Sequence, residues 1–430
     1  MQHLASVLEA GLQRAGYDQR KRFDLTTAKL AYCQGEFDCW VKTPGVCRVL
    51  DREQEIVAEV HDADALVTVG PLVFGGHGHA IKLAIDRMLC LLEPFFVKRA
   101  SLTHHSLRYA THARLFSVAW SERTSPDEAV TFGDLNDANA INYLAPARGA
   151  IALDESGRES WGDSIRAMLA NSRAPGADLG GRDELRRALI TASTPEVFPS
   201  ARRARKVALL VGSAKPKGTS ASEALARAVE KRLTAAQVDT ELHFATEFVH
   251  DDARSLSRAE AIAACDAFML VTPLYADSLP ALATHALELV ARARAKASET
   301  DRFYMLINCG FPEAEQNRTA MRIASHFAAR ARYLWAGGLP LGAGGVVTPH
   351  SDLDAPHGPT AGVVRALDLA AQAIAEGGAL PAAAIESIAR PAMPDALYRI
   401  AGDASWRWQA FQNGLAQREL HEHPLDVRDG

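Results

Sequence analysis

The sequence predicts an α/β protein made of two doubly wound parallel-sheet domains in tandem. Three observations predict it. The chain has 430 residues, too many for one ordinary domain and comfortable for two. Two apolar runs, DALVTVGPL (64–72) and DAFMLVTPL (266–274), both read Asp-Ala, a buried-strand stretch, then Pro-Leu. Each is followed by a small-residue loop and a helical pattern, HAIKLAIDRMLCLL (79–92) in one half and LPALATHALELVARA (279–293) in the other.

An apolar run closed by proline marks a buried parallel strand leaving its sheet, because proline has no N–H to give the ladder. RLFSVAW (114–120) and RFYMLINCG (302–310) read as further strands, each after such a helix. Alternating strands and helices place helices on both faces of a parallel sheet. The repeat extends upstream: Leu4, Leu8 and Leu12 match Leu225, Val229 and Leu233 in spacing, and Ala15 falls on Ala236. AGYDQRKRFDL (15–25) and AQVDTELHFAT (236–246) then read as second strands.

In this alignment Met1 falls on Ser222, so KVALLVGSAKPKGTSA (206–221) has no counterpart in the first half. In a flavodoxin-type sheet of order 2-1-3-4-5 the first strand is central, and its loss leaves inner backbone groups to find other partners. Either the chain starts ahead of this Met1, which is the preferred reading, or the first domain leans on the second. The expected division is a first domain over 1–170 and a linker over 171–205 with one short helix, RDELRRAL. A second domain then covers 206–379, and a helical appendage packed on it covers 380–430, with HEHPLDVRDG frayed at the end.

Composition narrows the function. The chain is 48% hydrophobic and 23% charged, with a net charge of −5 and pI near 6.3. That gives no basic field for nucleic acid, and the run ARRARK (201–206) reads as solvated. No apolar stretch is long enough to span a membrane, no secretory signal opens the chain, and six cysteines imply no disulfide framework. A cytoplasmic location is expected.

The strongest local signal is the loop after 206–211. Gly212-Ser213 and Gly218-Thr219-Ser220 follow a strand and open a helix, offering amides, hydroxyls and room for a phosphate. Lys215 and Lys217 add charge. The loop is neither a P-loop nor a Gly-x-Gly-x-x-Gly fingerprint. TPLYADSLP (272–280) and NCGFPE (308–313) belong at the same carboxyl edge, where open α/β sheets bind ligands. Tyr275 is placed to cover a planar ligand.

These segments resemble the flavodoxin-like, NADPH-dependent FMN reductase superfamily, twice over. In the first half the likeness rests on YCQGEFDCWVKTPGVC (32–47), GPLVFGGHGHAIKLAIDRM (70–88) and THHSLRYA (103–110). In the second it rests on GSAKPKGTSAS, TPLYADSLPA and NCGFPEAEQN. The resemblance implies two flavodoxin-like domains in tandem, FMN as cofactor and NAD(P)H as co-substrate. It assigns Ser213, Lys215, Thr219, Ser220 and Ser222 to the phosphate. Pro273, Leu274, Tyr275, Asn308, Cys309 and Gly310 would face the ring. In the first domain the ring-side positions are Pro71, Leu72, Val73, Phe74, Gly75 and Trp120, with no phosphate loop to complete them.

Relatives often carry four cysteines where this chain has Cys33, Glu36, Cys39 and Cys47, and in some the set holds an iron–sulfur cluster. With three thiols no cluster is expected, nor any other metal; the reading is a packed loop beside the flavin pocket. His77 and His79 sit in the ring-side loop of the first domain. His104, His105, Arg108 and Tyr109 are candidates to reach its ligand edge. No nucleophile-elbow or acid–base triad is present. The resemblance implies hydride transfer from the nicotinamide to FMN and on to a small acceptor, by a homodimer or an internal pseudo-dimer. The rival readings are a flavodoxin-like electron carrier and a scaffold that has lost one or both flavin sites.

Overall fold

The structure is a computed structural model and describes residues 2–19, 21–110, 112–176, 179–195, 202–297 and 301–426. It divides into two units, Met1–Leu179 with Ile400–Gly430, and Gly180–Arg399.

The second unit holds a five-stranded parallel sheet. Its spatial order is Leu334–Leu341, Arg302–Asn308, Ala267–Pro273, Lys206–Val211 and Asp239–Phe244. Numbered along the unit this is 2-1-3-4-5, the flavodoxin-like order. The inner strands are unbroken apolar runs because both faces are covered. Val207, Leu209, Val211, Met269 and Val271 pack under Leu225 and Val229 of helix Ala221–Ala235 and under Val364 and Leu367 of helix Ala361–Glu376. Phe268, Phe303, Phe327 and Tyr333 form a separate aromatic cluster, with ring centroids 4.7–6.1 Å apart.

The linker expected over 171–205 is not a free connection where it is described; residues 177–178 and 196–201 lie outside the described set. Helix Arg182–Ser193 belongs to the second unit and buries Leu185 and Leu189. Its RDELRRAL pattern has an apolar face at i, i+4 spacing, which is enough to dock it.

In the first unit, Ala65–Val73, Arg114–Ser121 and Arg148–Asp154 form a parallel set, with Gly76–His77 folded back onto the end of Ala65–Val73. Helix Gln2–Arg14 places Leu4 and Leu8 against Phe116, Val118, Trp161 and Ile165. This is the place the repeat assigned to it. The strand expected over 15–25 does not form among the described residues, which exclude Arg20. With no strand on the outer edge of Ala65–Pro71 there is no ladder for a second strand to extend. The segment instead tucks Tyr17 beside Phe116 and packs Phe23 and Leu25 near Ile56, Val57 and Met88. The edge leaves its mark on burial: Ala65–Val69 are half-buried, whereas their counterparts in Ala267–Pro273 are buried.

An antiparallel hairpin, Leu92–Arg99 with Leu102–Leu107, was not legible in the sequence. Its turn, Ala100-Ser101, takes positive φ at both residues, a two-residue hairpin geometry reached here without glycine.

The appendage departs from expectation as well. Helix Asp395–Gln412 begins in the second unit, but Ile400–Gly430 belongs to the first. Asp403 accepts a hydrogen bond from the Phe96 amide at 3.0 Å, and Trp406 meets Trp40 edge-on with centroids 5.4 Å apart. The tail expected to fray is anchored as far as it is described. Buried Arg108 donates to the carbonyls of Leu420 and Glu422, and His421 pairs with Glu93 at 2.7 Å. Aromatic and cationic contacts hold a segment that composition alone reads as solvated.

Candidate functional site at the carboxyl edge of the second sheet

The first loop leaves strand Lys206–Val211 at Gly212, whose amide donates to the Val271 carbonyl at 2.8 Å. A Cβ at Gly212 would stand 2.4 Å from the Thr272 hydroxyl, so only glycine lets the loop depart so close to its neighbour strand. Ser220 caps helix Ala221–Ala235, accepting from the Glu223 amide at 3.1 Å. The buried Glu223 carboxylate in turn accepts from the Gly218 amide at 2.5 Å and from Arg227 at 2.9 Å. Gly218 sits at φ +81°, a conformation that favours glycine. Glu223 therefore braces the loop tip from beneath. The Ser-x-x-Glu spacing of a capping pattern was the sequence signal for it.

Ser213, Ser220 and Ser222 are buried at the loop base, Lys215 is half-buried, and Thr219 is exposed at the tip, its hydroxyl donating to Pro216. The structure brings these five together. Lys217 points away, 3.0 Å from Glu247 and 4.2 Å over the Phe244 ring. Ser222 donates to the Asn308 side-chain oxygen at 2.8 Å, tying this loop to the third.

In the second loop Tyr275 and Ser278 pair across Ala276 and Asp277, which have φ of 45° and 58°. Pro273, Leu274 and Tyr275 are half-buried, and the Leu274 amide donates to the Asn308 carbonyl at 3.0 Å. The first unit repeats the device: Val73 pairs with Gly76 across Phe74 and Gly75, both at positive φ. The internal repeat thus extends to a turn geometry.

The third loop holds Asn308 and Gly310 at the edge but not the Cys309 side chain. That thiol is buried, donates toward Phe311 and Glu313, and receives a contact from Asn317, so it packs beneath the loop instead of facing a ligand. Gly310 is exposed, and a Cβ there would meet nothing within 4 Å. The Gly310 carbonyl accepts from the Tyr398 hydroxyl at 3.0 Å. Tyr398 lies 88 residues further along the chain, and no local pattern pointed to it.

In the first unit Pro71 is exposed and Val73 half-buried, but Leu72 and Phe74 are buried, Leu72 packing with Ala119 and Phe132. Gly75 is the buried turn residue, and half-buried Trp120 donates to Glu155 at 3.3 Å. Leu72 is therefore a core residue, and Phe74 is buried at the turn. No anion loop accompanies them among the described residues. His77 is buried against Phe132, and burial pushes its pKa down to about 3.

The group expected at the ligand edge lies elsewhere. His105 tilts against Trp40 and bonds the Pro94 carbonyl, His104 bonds Asn142, and Arg108 bonds the Cys90 carbonyl. All belong to the hairpin and its exit strand. Cys33, Cys39 and Cys47 line one small cavity with Asp86, Arg87 and Leu89. That is the far end of helix His79–Arg87 from the ring-side loop, roughly 12 Å away along the helix, and not beside it. Among the described residues no group of three or more His, Cys, Asp or Glu side chains is placed to hold a metal.

The residues of the second unit fit the phosphate of FMN through a serine-lined helix start tied directly to the third loop. The site and the sheet order define a flavodoxin-like α/β unit. Residues 205–335 match the family model of NADPH-dependent FMN reductase. No curated protein matches the chain. Among solved structures it is similar to an NAD(P)H:quinone oxidoreductase from Methanothermobacter marburgensis, at 15% identity over 33% of this chain and 85% of that one, with a TM-score of 0.27. A putative quinone reductase from Klebsiella pneumoniae matches at 14% identity over 41% and 87%, TM-score 0.31. An azoreductase from Bacillus anthracis matches at 11% identity over 40% and 96%, TM-score 0.27.

Proposed function

We propose that the second unit binds FMN and that the chain is an FMN-dependent NAD(P)H oxidoreductase passing electrons to a small acceptor. The observation that carries this reading is the Ser222–Asn308 hydrogen bond of 2.8 Å, which joins an anion-binding helix start to a ring-side loop inside the family-matched segment. Ser213 and Ser220 supply hydroxyls to a phosphate, the loop supplies amides, and Lys215 supplies charge; Ser222 and Thr219, whose hydroxyls now donate to Asn308 and Pro216, join them by turning those hydroxyls to the phosphate. Pro273, Leu274 and Tyr275 flank the ring, and Asn308 and the exposed Gly310 backbone meet its polar edge. The chemistry FMN supplies when bound is hydride exchange between nicotinamide C4 and flavin N5. No side chain of the site is assigned as an acid, base or nucleophile.

The second unit carries the loop, the helix start and the ring-side turns together, and we infer one FMN bound there. Reconstitution with excess FMN, desalting and a visible spectrum test this. One equivalent of bound flavin, bleached by NADPH or NADH and reoxidised by menadione, is the expected result. Absence of bound flavin overturns the reading and leaves the scaffold alternative.

A further inference from the structure

The start of helix Asp395–Gln412 is held to the third loop of the second unit by several contacts. Arg182 pairs with Asp395, and Arg186 reaches both the Ala389 carbonyl, at 2.5 Å, and buried Glu315, at 3.4 Å. Glu315 belongs to the 3-10 turn Ala314–Asn317 that follows the loop. One helical turn after Asp395, Tyr398 places its hydroxyl 3.0 Å from the Gly310 carbonyl. The same hydroxyl stands 3.0 Å from where a Cβ at Gly345 would be, so any larger residue at 345 would displace it. The phenol thus lies across two glycines at the ends of strands Arg302–Asn308 and Leu334–Leu341, where Gly310 has open space on its free side. Burial pushes the phenol up to about 12, so it remains a protonated donor at neutral pH.

We propose that Tyr398 is a ligand-contacting residue of the second unit: its ring walls the ring-side pocket, and its hydroxyl transfers from the Gly310 carbonyl to a carbonyl oxygen of the bound isoalloxazine. This rests on the FMN reading above. Tyr398 lies outside the family-matched residues 205–335, so this contact comes from the appendage and not from the matched segment. An aromatic face with a donor at its tip suits a planar ring edged with carbonyls, and both glycines keep that approach clear.

The test uses the full chain with Tyr398→Phe and Tyr398→Ala, reading FMN affinity by fluorescence quenching, the visible spectrum of bound flavin, and thermal unfolding of the flavin-free protein. Y398F keeps the packed ring and loses only the hydroxyl, so it is expected to unfold near the wild-type temperature. It is also expected to bind FMN about 5-fold more weakly, the worth of one ordinary hydrogen bond, and to shift the flavin band. Y398A is expected to weaken FMN further. Wild-type affinity and an unshifted band in Y398F, whether or not Y398A folds, overturn the assignment of Tyr398 and leave the FMN reading intact. Failure of the wild-type chain itself to bind FMN overturns both.

Discussion

Ser222 donates its hydroxyl to the side-chain oxygen of Asn308 across 2.8 Å, linking the first and third loops of the second sheet although the residues lie 86 positions apart. The bond spans the ends of Lys206–Val211 and Arg302–Asn308, two places apart in the sheet with the central strand Ala267–Pro273 between them. Removing it with Ser222→Ala leaves Asn308 free to swing. FMN affinity is expected to fall about 5–10-fold for a stability loss of about 1 kcal/mol. Asn308→Ala should do the same, and the double variant should cost little more than either alone. Fluorescence titrations of the three variants check this; full additivity would show that the two residues act separately.

Gly212 is the tightest point of the site. A Cβ there would come within 2.4 Å of the Thr272 hydroxyl and 3.2 Å of Ala283. Gly212→Ala is expected to destabilise the second unit by about 1–3 kcal/mol and to abolish FMN retention, by urea unfolding and spectral stoichiometry respectively. Gly310→Ala, with nothing within 4 Å of its Cβ, is expected to leave stability within about 0.5 kcal/mol.

Glu53 of the first unit is 1% exposed and its carboxyl oxygens make no hydrogen bond among the described residues. Burial raises its pKa to about 9 from an ordinary 4.5. The folded state therefore holds a proton that the unfolded chain releases. The associated stability is fully present below pH 4.5 and is lost as pH rises through about 9, at up to ~1.4 kcal/mol per pH unit. Glu53→Gln is expected to match the wild type near pH 4.5 and to be the more stable protein at pH 8. Denaturant curves at the two pH values check the crossover.

His105 runs the other way. Burial holds its pKa at about 3 against an ordinary 6.5, so its stability is present above pH 6.5 and lost as pH falls toward 3. The ring lies 4.4 Å from Trp40 between centroids. His105→Gln is expected to flatten the acid limb of stability between pH 6.5 and 4, followed by tryptophan fluorescence during acid titration.

Burial pushes the thiols of Cys33, Cys90 and Cys309 up to about 12, that of Cys265 to about 11, and that of Cys39 well above its usual value. A buried thiol with little thiolate reacts slowly. The native chain is expected to leave these five largely unmodified by a disulfide reagent at pH 7.5, and all six cysteines should react once it is unfolded.

Much of the architecture was legible because it rests on local pattern. DAFMLVTPL, RFYMLINCG and KVALLV are continuous apolar runs, and only a strand covered on both faces needs such a run. Ser220 and Gly218 announced the helix start through capping and turn chemistry. The misses share a cause. The 15–25 segment has strand composition but no neighbour strand to pair with, and a ladder is a property of two strands. Leu102–Leu107 reads as polar, and its histidines find their partners only in the fold: His104 meets Asn142 from a following helix and His105 meets the Pro94 carbonyl across the hairpin. Cys309 looked like a ring-side residue by position, but the loop backbone turns its thiol into the core.

The sequence by itself determined the periodic part of this protein: two α/β halves, one glycine- and serine-rich loop that opens a helix, and the Pro-Leu strand ends that lead into the turns at the sheet edge. These follow from spacing, burial and the special backbone needs of glycine and proline, all readable within a dozen residues. Only the tertiary structure decided that Ser222 meets Asn308, that Glu223 braces Gly218, that the tail beyond Ile400 belongs to the first unit, and that Tyr398 lies on Gly310. Each of these is a contact whose partner is chosen by packing, and packing is fixed only when the whole chain closes on itself.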